Sequence, residues 1–265
     1  MKYKLIATDI DGTLLKDDKT LSARTLAAIN RVREAGGIFA VSSGRTVHFC
    51  NFFEKVSGLK NLPFILYNGA RVVDGPGHSV LFSQGLDRDT ALWLINEGNR
   101  LKTTVIVWAN DVLHVNEINE RIEFYVKLAL IDPVLITDPE EIVKNGADKI
   151  LWFDEAERTP YLHSVLDASS IASKINHFTS DPRFMEIVDV NCSKALALEK
   201  LCRHYGIKRE ECIAVGDGFN DLPMIEWAGL GIAMANADDA IKQKADAVTL
   251  SNEEDGVAAL IENYF

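Results

Sequence analysis

Apolar and polar positions follow two rhythms along the chain, one typical of buried strands and one typical of amphipathic helices. In the first third, apolar runs at 4–8, 38–42 and 64–67 each end in polar residues. A helical pattern that starts at the N-cap candidate Ser22 separates the first two runs. The last quarter repeats this alternation from Cys212 onward. Strands that alternate with helices predict a mostly parallel sheet with helical crossovers.

The middle of the chain predicts a different architecture. Two hairpin signals occur there, Ala-Asn-Asp at 109–111 and Ser-Asp-Pro-Arg at 180–183, each flanked by apolar runs of strand length. Helical patterns cover 88–99, 120–130 and 160–172. Paired hairpins accompanied by helices predict an α+β unit with an antiparallel sheet.

These two patterns together give the predicted fold class. It is α/β, a doubly wound and mostly parallel Rossmann-like sheet, with an α+β domain inserted into it. The expected boundaries are 1–82 and 190–265 for the core and 83–189 for the insertion.

Composition narrows the possible partners. The 265-residue chain carries a formal charge of −11, which argues against nucleic acid and anionic membranes as partners. No apolar run approaches the ~18–20 residues of a membrane span, and the N-terminal apolar run breaks at Thr8-Asp9, unlike a signal or transit peptide. The four cysteines show no CxxC spacing and are interpreted as reduced thiols. We therefore expect a cytoplasmic protein; the sequence sets no oligomeric state.

Polar residues recur where the predicted parallel strands end. The carboxyl ends of such strands meet at one edge of the sheet, where ligands bind. The residues concerned are Asp9, Asp11, Ser43, Gly44, Arg45, Asn68, Asp217, Asn220 and Asp221.

Several carboxylates in one crevice must be paired, protonated or bound to metal. Only Lys194 and Arg45 are available as cationic partners, so a hard divalent cation is expected, and Mg²⁺ suits few carboxylates with waters left for a phosphate. Ser43, the Gly44 amide and Lys194 are donors suited to phosphate oxygens. Metal and oxyanion donors at an acidic site predict phosphoryl transfer.

The paired aspartates in Ile6-Ala-Thr-Asp-Ile-Asp-Gly-Thr13 can then divide the work. An ionised carboxylate can attack phosphorus and form an aspartyl-phosphate. A second carboxyl two residues on can protonate the leaving oxygen and later activate water.

The chain resembles the haloacid dehalogenase superfamily, specifically its Cof-type (subfamily IIB) sugar-phosphate phosphatases. The resemblance runs the whole length and departs from the family pattern at Lys194-Ala195, where glycine usually follows the lysine. The matching motifs are Asp9-Ile-Asp-Gly-Thr13, Ser42-Ser-Gly-Arg45, Tyr67-Asn-Gly-Ala70, Lys194, Gly216-Asp-Gly-Phe-Asn-Asp221 and Glu254-Asp-Gly-Val257.

The resemblance implies a role for each matching residue. Asp9 is implied to be the nucleophile and a Mg²⁺ ligand, and Asp11 the acid/base with its backbone carbonyl on the metal. Asp217 is the implied second metal carboxylate, while Asp221 and Asn220 support metal waters and phosphate. Phosphoryl contacts are implied for Ser43, Gly44 and Lys194, and substrate or pocket-wall contacts for Arg45 and Asn68.

The expected function is hydrolysis of small phosphomonoesters, such as sugar phosphates, flavin mononucleotide or pyridoxal phosphate, with the insertion acting as a cap over the site. One alternative is a phosphomutase that uses the same aspartyl-phosphate. An alternative of another class is a non-catalytic phosphate-binding or receiver-like signalling module, which the late acidic cluster and the large insertion disfavour.

Two simpler interpretations remain for individual residues. Ser43 is also compatible with N-capping of the following helix. The six histidines show no ligand spacing and are interpreted as structural or solvated.

Overall fold

The computed structural model describes residues 2–129 and 131–265. The chain divides into two compact units, one of residues 1–82 with 193–265 and one of residues 83–192. Within the described residues no helix is both long and apolar enough to cross a membrane.

The first unit alternates strands and helices. Its strands are β1 (Leu5–Thr8), β2 (Ile38–Ser42), β3 (Phe64–Leu66), β4 (Arg71–Asp74), β5 (Ser79–Ser83), β12 (Cys212–Gly216), β13 (Leu230–Ala233) and β14 (Ala247–Val248). Its α-helices are α1 (Ala23–Glu34), α2 (His48–Ser57), α7 (Lys194–His204), α8 (Leu222–Trp227), α9 (Asp239–Lys242) and α10 (Gly256–Tyr264).

These strands form one sheet in the order β14-β13-β12-β1-β2-β3-β4-β5. The pairs from β14 to β3 are parallel, and β4 joins β3 in the antiparallel sense. β1 lies between β12 and β2, with Thr8 opposite both Val215 and Val41. The carboxyl ends of these three central strands therefore lie side by side.

The sheet is buried on both faces. Leu5 and Ala7 face a core that includes Leu198 and Leu201 of α7. The alternate residues along the strands, such as Ile6, are equally buried. Burial on both sides is the reason that these strands read as continuous apolar runs.

The second unit contains a six-stranded sheet in the order β10-β11-β9-β6-β7-β8. Its strands are β6 (Thr104–Ala109), β7 (Val112–Val115), β8 (Val134–Leu135), β9 (Lys149–Phe153), β10 (Ile175–Asp181) and β11 (Phe184–Asp189). Its α-helices are α3 (Arg88–Arg100), α4 (Glu120–Ala129), α5 (Pro139–Ile142) and α6 (Thr159–Asp167). All pairs are antiparallel except β7 with β8, so this unit has the predicted hairpin character.

The element boundaries predicted from the sequence agree with the structure for most of the chain, with two exceptions. The helix predicted at 160–172 ends at Asp167, because the Ser169 amide donates to the Leu166 carbonyl, three residues back, and does not continue the i to i−4 ladder. The helix expected to follow Ser43 directly starts only at His48. The final residue of the helix predicted at 120–130 lies outside the described residues.

Candidate active site

Several predicted site residues of the first unit lie at the carboxyl ends of β1, β2 and β12. Asp9 follows β1 directly, and its amide donates to the Val215 carbonyl at 3.0 Å. Ser43 follows β2, and Asp217 follows β12. The parallel register thus brings residues more than 200 positions apart in the sequence to one edge, as the strand pattern predicts.

A buried lysine joins two of the aspartates. Lys194 Nζ lies 2.5 Å from Asp9 Oδ1 and 2.5 Å from Asp221 Oδ1. The lysine side chain has no exposed surface, and that of Asp221 is 1% exposed. Burial disfavours the charged lysine, but both carboxylates outweigh it and raise the pKa of Lys194. The ammonium therefore stays charged and supports the ionised state of its partners.

Local geometry explains why Lys194 reaches this position. Ser193 caps α7, with its hydroxyl accepting from the Leu196 amide at 3.1 Å, so Lys194 occupies the first helical position. A cation there opposes the helix dipole, and the two carboxylates compensate. Gly69 lies against this helix start, and a Cβ on it would come within 2.2 Å of the Ser193 carbonyl oxygen. Only glycine permits that approach.

Asp217 is oriented by a hydroxyl and by its neighbouring loop. Thr13 Oγ1 donates to Asp217 Oδ1 at 2.6 Å. Asp221 Oδ2 accepts from the amides of Asp217 at 3.2 Å and Gly218 at 2.9 Å, which closes the loop after β12. Burial, together with the nearby charge of Asp221, raises the pKa of Asp217 to about 6 in spite of the Thr13 hydrogen bond.

These carboxylates fit a divalent cation. One oxygen from each of Asp9, Asp217 and Asp221 lies within 4.8 Å of the others. Three carboxylates face one ammonium, so two negative charges remain uncompensated, and burial together with Asp221 raises the pKa of Asp9 well above its ordinary value. A hard cation with carboxylate ligands would relieve that repulsion.

The Asp11 carboxylate is paired with two cations. Arg45 donates from Nε to Asp11 Oδ2 at 3.0 Å and from Nη2 to Oδ1 at 2.9 Å, and Lys19 Nζ lies 2.9 Å from Oδ1. Burial opposes ionisation, but these hydrogen bonds outweigh it and lower the pKa of Asp11. Arg45 is itself fixed over the Phe49 ring at 4.6 Å.

Asn68 links two loops that carry site residues. Its backbone N–H donates to the Ser43 carbonyl at 3.1 Å, and its side-chain Oδ1 accepts from Asn220 Nδ2 at 3.2 Å. It adopts a left-handed conformation with φ of 57° and is buried. A Cβ on Gly44 would come within 3.0 Å of the Asn68 side chain, so the Gly44 loop packs directly on it.

Ser43, a predicted donor to phosphate oxygens, lies beside this loop. Ser43 is buried, and its hydroxyl accepts from the Arg45 amide at 3.1 Å, which is a local turn rather than a helix cap. The N-cap interpretation of Ser43 is therefore wrong, since α2 begins five residues later.

Sequence reasoning assigned no role to two further residues. Thr13 was part of the quoted motif, and its hydroxyl orients Asp217. Asn236 donates from Nδ2 to the Gly12 carbonyl at 2.8 Å and fixes the exit turn after Asp11. No local pattern around Asn236 signals this contact, because it depends on a distant strand.

Comparisons with known proteins show the family to which the chain is related. A family model described as haloacid dehalogenase-like hydrolase matches residues 6–261. A solved haloacid dehalogenase-like hydrolase from Bacteroides thetaiotaomicron superposes with a TM-score of 0.89 at 30% identity, covering all of both chains. That likeness confirms the predicted fold class.

Two curated relatives from Bacillus subtilis cover nearly the full chain. The 5-amino-6-(5-phospho-D-ribitylamino)uracil phosphatase YitU is 34% identical over 270 residues, which covers 100% of this chain and 98% of the relative. The phosphatase YcsE, named for the same substrate, is 33% identical over 262 residues, covering 98% and 95%. The chain belongs to the haloacid dehalogenase-like hydrolase family, in its Cof-type branch, as its motifs predict. It is an enzyme, a phosphatase.

Proposed function

We propose that the protein is a Mg²⁺-dependent phosphatase that hydrolyses small phosphomonoesters through an aspartyl-phosphate on Asp9. The observation that carries this proposal is the buried Lys194 bridging Asp9 and Asp221 beside Asp217. Asp9, Asp217 and Asp221 would hold the cation, with the Asp11 carbonyl as a further ligand. The bound ion would supply positive charge to the phosphoryl oxygens and to the surplus carboxylates.

In the first step, Asp9 attacks phosphorus, and the bond from phosphorus to the leaving oxygen breaks. Lys194 favours the ionised form of Asp9 against burial and the Asp221 charge, which raise its pKa, and a bound cation would add to that stabilisation. The leaving oxygen takes a proton from the Asp11 carboxyl. Ser43, the Gly44 amide and Lys194 are the proposed donors to the phosphoryl oxygens.

In the second step, Asp11 accepts a proton from water as the water oxygen attacks phosphorus, which releases phosphate and restores Asp9. The ion pair with Arg45 stabilises the ionised form of Asp11 and therefore suits this step. The acid step needs a proton on the same carboxyl, so Asp11 must leave Arg45 before it protonates the leaving group.

The relatives, rather than the site, suggest which substrate to test first. YitU and YcsE are both named for a phosphorylated ribitylaminouracil, which is a small phosphomonoester. We propose this compound as the first substrate to test, ahead of sugar phosphates, flavin mononucleotide and pyridoxal phosphate.

Partners and location are part of the same proposal. All the proposed site residues lie in the first unit, and we assign leaving-group choice to the second. The charge of −11 supports small phosphorylated metabolites over nucleic acid or anionic membranes as partners. Four free, buried cysteines support a reducing cytoplasmic location.

The test is phosphate release from a panel of these phosphomonoesters, with Mg²⁺ and with a chelator, beside the Asp9→Asn variant. The proposal expects selective release that needs Mg²⁺ and that the variant lacks. Release that survives the chelator or the variant would contradict it. An isomerised sugar phosphate without free phosphate would identify a mutase instead.

A further inference from the structure

Two histidines meet in the second unit, although 14 positions separate them in the sequence. The rings of His163 and His177 have centroids 4.9 Å apart, and their Nδ1 atoms lie 2.7 Å apart. His163 belongs to α6 and His177 to β10. The interpretation of the six histidines as structural or solvated did not include this contact.

The outer nitrogen of each ring has its own oxygen partner. His177 Nε2 lies 3.1 Å from Asp167 Oδ1, and His163 Nε2 lies 2.9 Å from Thr179 Oγ1. Asp167 is one helical turn beyond His163, and Thr179 is two residues beyond His177 on the same face of β10. A carboxylate in the last turn of a helix opposes the dipole, so its contact with His177 supplies a reason for its position.

These partners limit where the ring protons can lie. An ionised carboxylate only accepts, so a neutral His177 ring carries its proton on Nε2 and presents a lone pair at Nδ1. His163 then donates from Nδ1 to His177 Nδ1 and accepts from the Thr179 hydroxyl at Nε2. Rotation of that hydroxyl permits the other tautomer, in which His163 donates to Thr179 and presents its own Nδ1 lone pair.

In the second tautomer, two neutral imidazole lone pairs converge, and each outer N–H is fixed by an oxygen acceptor. This is the arrangement of metal-binding histidines, whose second nitrogen is held by a carboxylate, a carbonyl or water. Burial, with the nearby His177, lowers the pKa of His163, so the ring is neutral and available as a ligand at neutral pH.

We propose that His163 and His177 bind one borderline divalent transition ion, of the class of Zn²⁺ or Ni²⁺, through their two Nδ1 atoms, with water completing the coordination. Two metal–nitrogen bonds replace the N–H···N hydrogen bond, and the His163 proton moves from Nδ1 to Nε2, so no proton is released. Tetrahedral ligands at about 2.0–2.1 Å from the ion require the nitrogens to separate to about 3.3 Å. Both rings are partly exposed, which allows that small movement.

This site differs in chemistry from the carboxylate cluster at Asp9. Mg²⁺ prefers hard oxygen ligands, whereas imidazole suits Zn²⁺ and Ni²⁺. The two sites therefore select different ions. The histidine site can be titrated with a transition ion while excess Mg²⁺ occupies the carboxylate cluster at Asp9.

The test is calorimetric titration of the full-length protein with ZnCl₂ in excess Mg²⁺. The variants are His163→Asn and His177→Asn, and His204→Asn in the first unit is the matched control. We expect the wild type and the control to bind Zn²⁺ with the same affinity. Each site variant should lose this binding or show an affinity at least tenfold weaker. Unchanged affinity in the site variants, or no such binding in the wild type, would overturn the proposal.

A further variant covers the case in which a histidine substitution disturbs folding, which circular dichroism would detect. Asp167→Ala keeps both rings and removes the oxygen acceptor that orients His177. Loss of such an outer partner weakens metal binding by about 10- to 100-fold. A loss in that range supports the site, and wild-type affinity in Asp167→Ala overturns it.

Discussion

Lys194 Nζ lies 2.5 Å from carboxylate oxygens of both Asp9 and Asp221, and the three side chains are almost completely buried. A buried ammonium offsets the charges of the two carboxylates, so its loss would leave both of them uncompensated. This relationship couples the stability of the first unit to the chemistry of the site.

Replacement of Lys194 by Met tests that coupling. Removing one member of a buried ion pair costs about 3–5 kcal/mol, because the remaining carboxylates are left uncompensated. We expect a lower free energy of unfolding, loss of phosphatase activity, and a larger rise in Tm on adding Mg²⁺ than in the wild type.

The control is the exposed Lys60→Met in the same unit. It should keep activity and change the free energy of unfolding by less than about 0.5 kcal/mol. Equal stability of Lys194→Met and Lys60→Met would show that Lys194 does not compensate the aspartates.

Gly12→Ala tests the approach of the exit turn to Asp217. A Cβ on Gly12 would lie 2.3 Å from Asp217 Oδ2, so Asp217 must move. We expect the Mg²⁺ concentration for half-maximal phosphate release to rise at least about tenfold, because a displaced ligand binds the ion less well.

Gly36→Ala separates this clash from backbone strain. Gly12 has φ of +79° and Gly36 has φ of +81°, but apart from chain neighbours no described atom lies within 4 Å of a Cβ on Gly36. Both variants carry a left-handed alanine, at a cost of about 1–2 kcal/mol. Only Gly12→Ala should change the Mg²⁺ dependence, and a matching change in Gly36→Ala would refute the explanation.

Asp11→Asn tests the acid role. Alkyl phosphates have poor leaving groups that need a proton, whereas p-nitrophenolate does not. We expect the rate on a sugar phosphate to fall about 10²–10⁴-fold in the variant. The rate of the p-nitrophenolate burst should fall much less. Equal losses in both pre-steady-state rates would argue against proton donation by Asp11.

Glu186→Gln tests the buried pair of the second unit. Lys149 Nζ lies 2.9 Å from Glu186 Oε2, and both side chains are buried. Burial disfavours the ammonium, yet the Glu186 charge outweighs it and raises the pKa of Lys149. We expect urea unfolding at pH 7 to show a loss of about 3–5 kcal/mol.

The pH dependence of that loss has a definite sign. A raised folded pKa means that the stabilisation is fully present below the unfolded lysine value of about 10.4 and fades as the pH rises through the folded value. The exposed pair of Arg88 and Glu140 supplies the control, since Glu140→Gln should cost about 0–1 kcal/mol. A similar loss in both variants would show that burial of the Lys149 pair is unimportant.

The sequence predicts those features that depend on strand ends. Asp9 and Asp217 come together because each directly follows a strand, and parallel register brings strand ends to one edge. The order of polar residues along the chain therefore contained most of the candidate site.

The contacts that sequence reasoning missed depend on side-chain packing between distant elements. The Arg45 fork on Asp11 requires both the loop after β2 and a particular rotamer, and residue type alone defines neither. The pairing of His163 with His177 arises only when α6 packs beside β10, and their spacing matches no ligand motif.

The central claim is that Asp9 carries the phosphoryl group. The most direct measurement is reductive trapping with borohydride, which converts an acyl phosphate to an alcohol, followed by peptide mass spectrometry. The Asp11→Asn variant is the best material, because slow hydrolysis of the intermediate should let it accumulate during a burst with p-nitrophenyl phosphate and Mg²⁺. The account predicts reduction at Asp9, and none with a chelator or in the Asp9→Asn/Asp11→Asn double variant. A burst of one p-nitrophenolate per protein with Asp9 unmodified, or reduction at another residue, would contradict it.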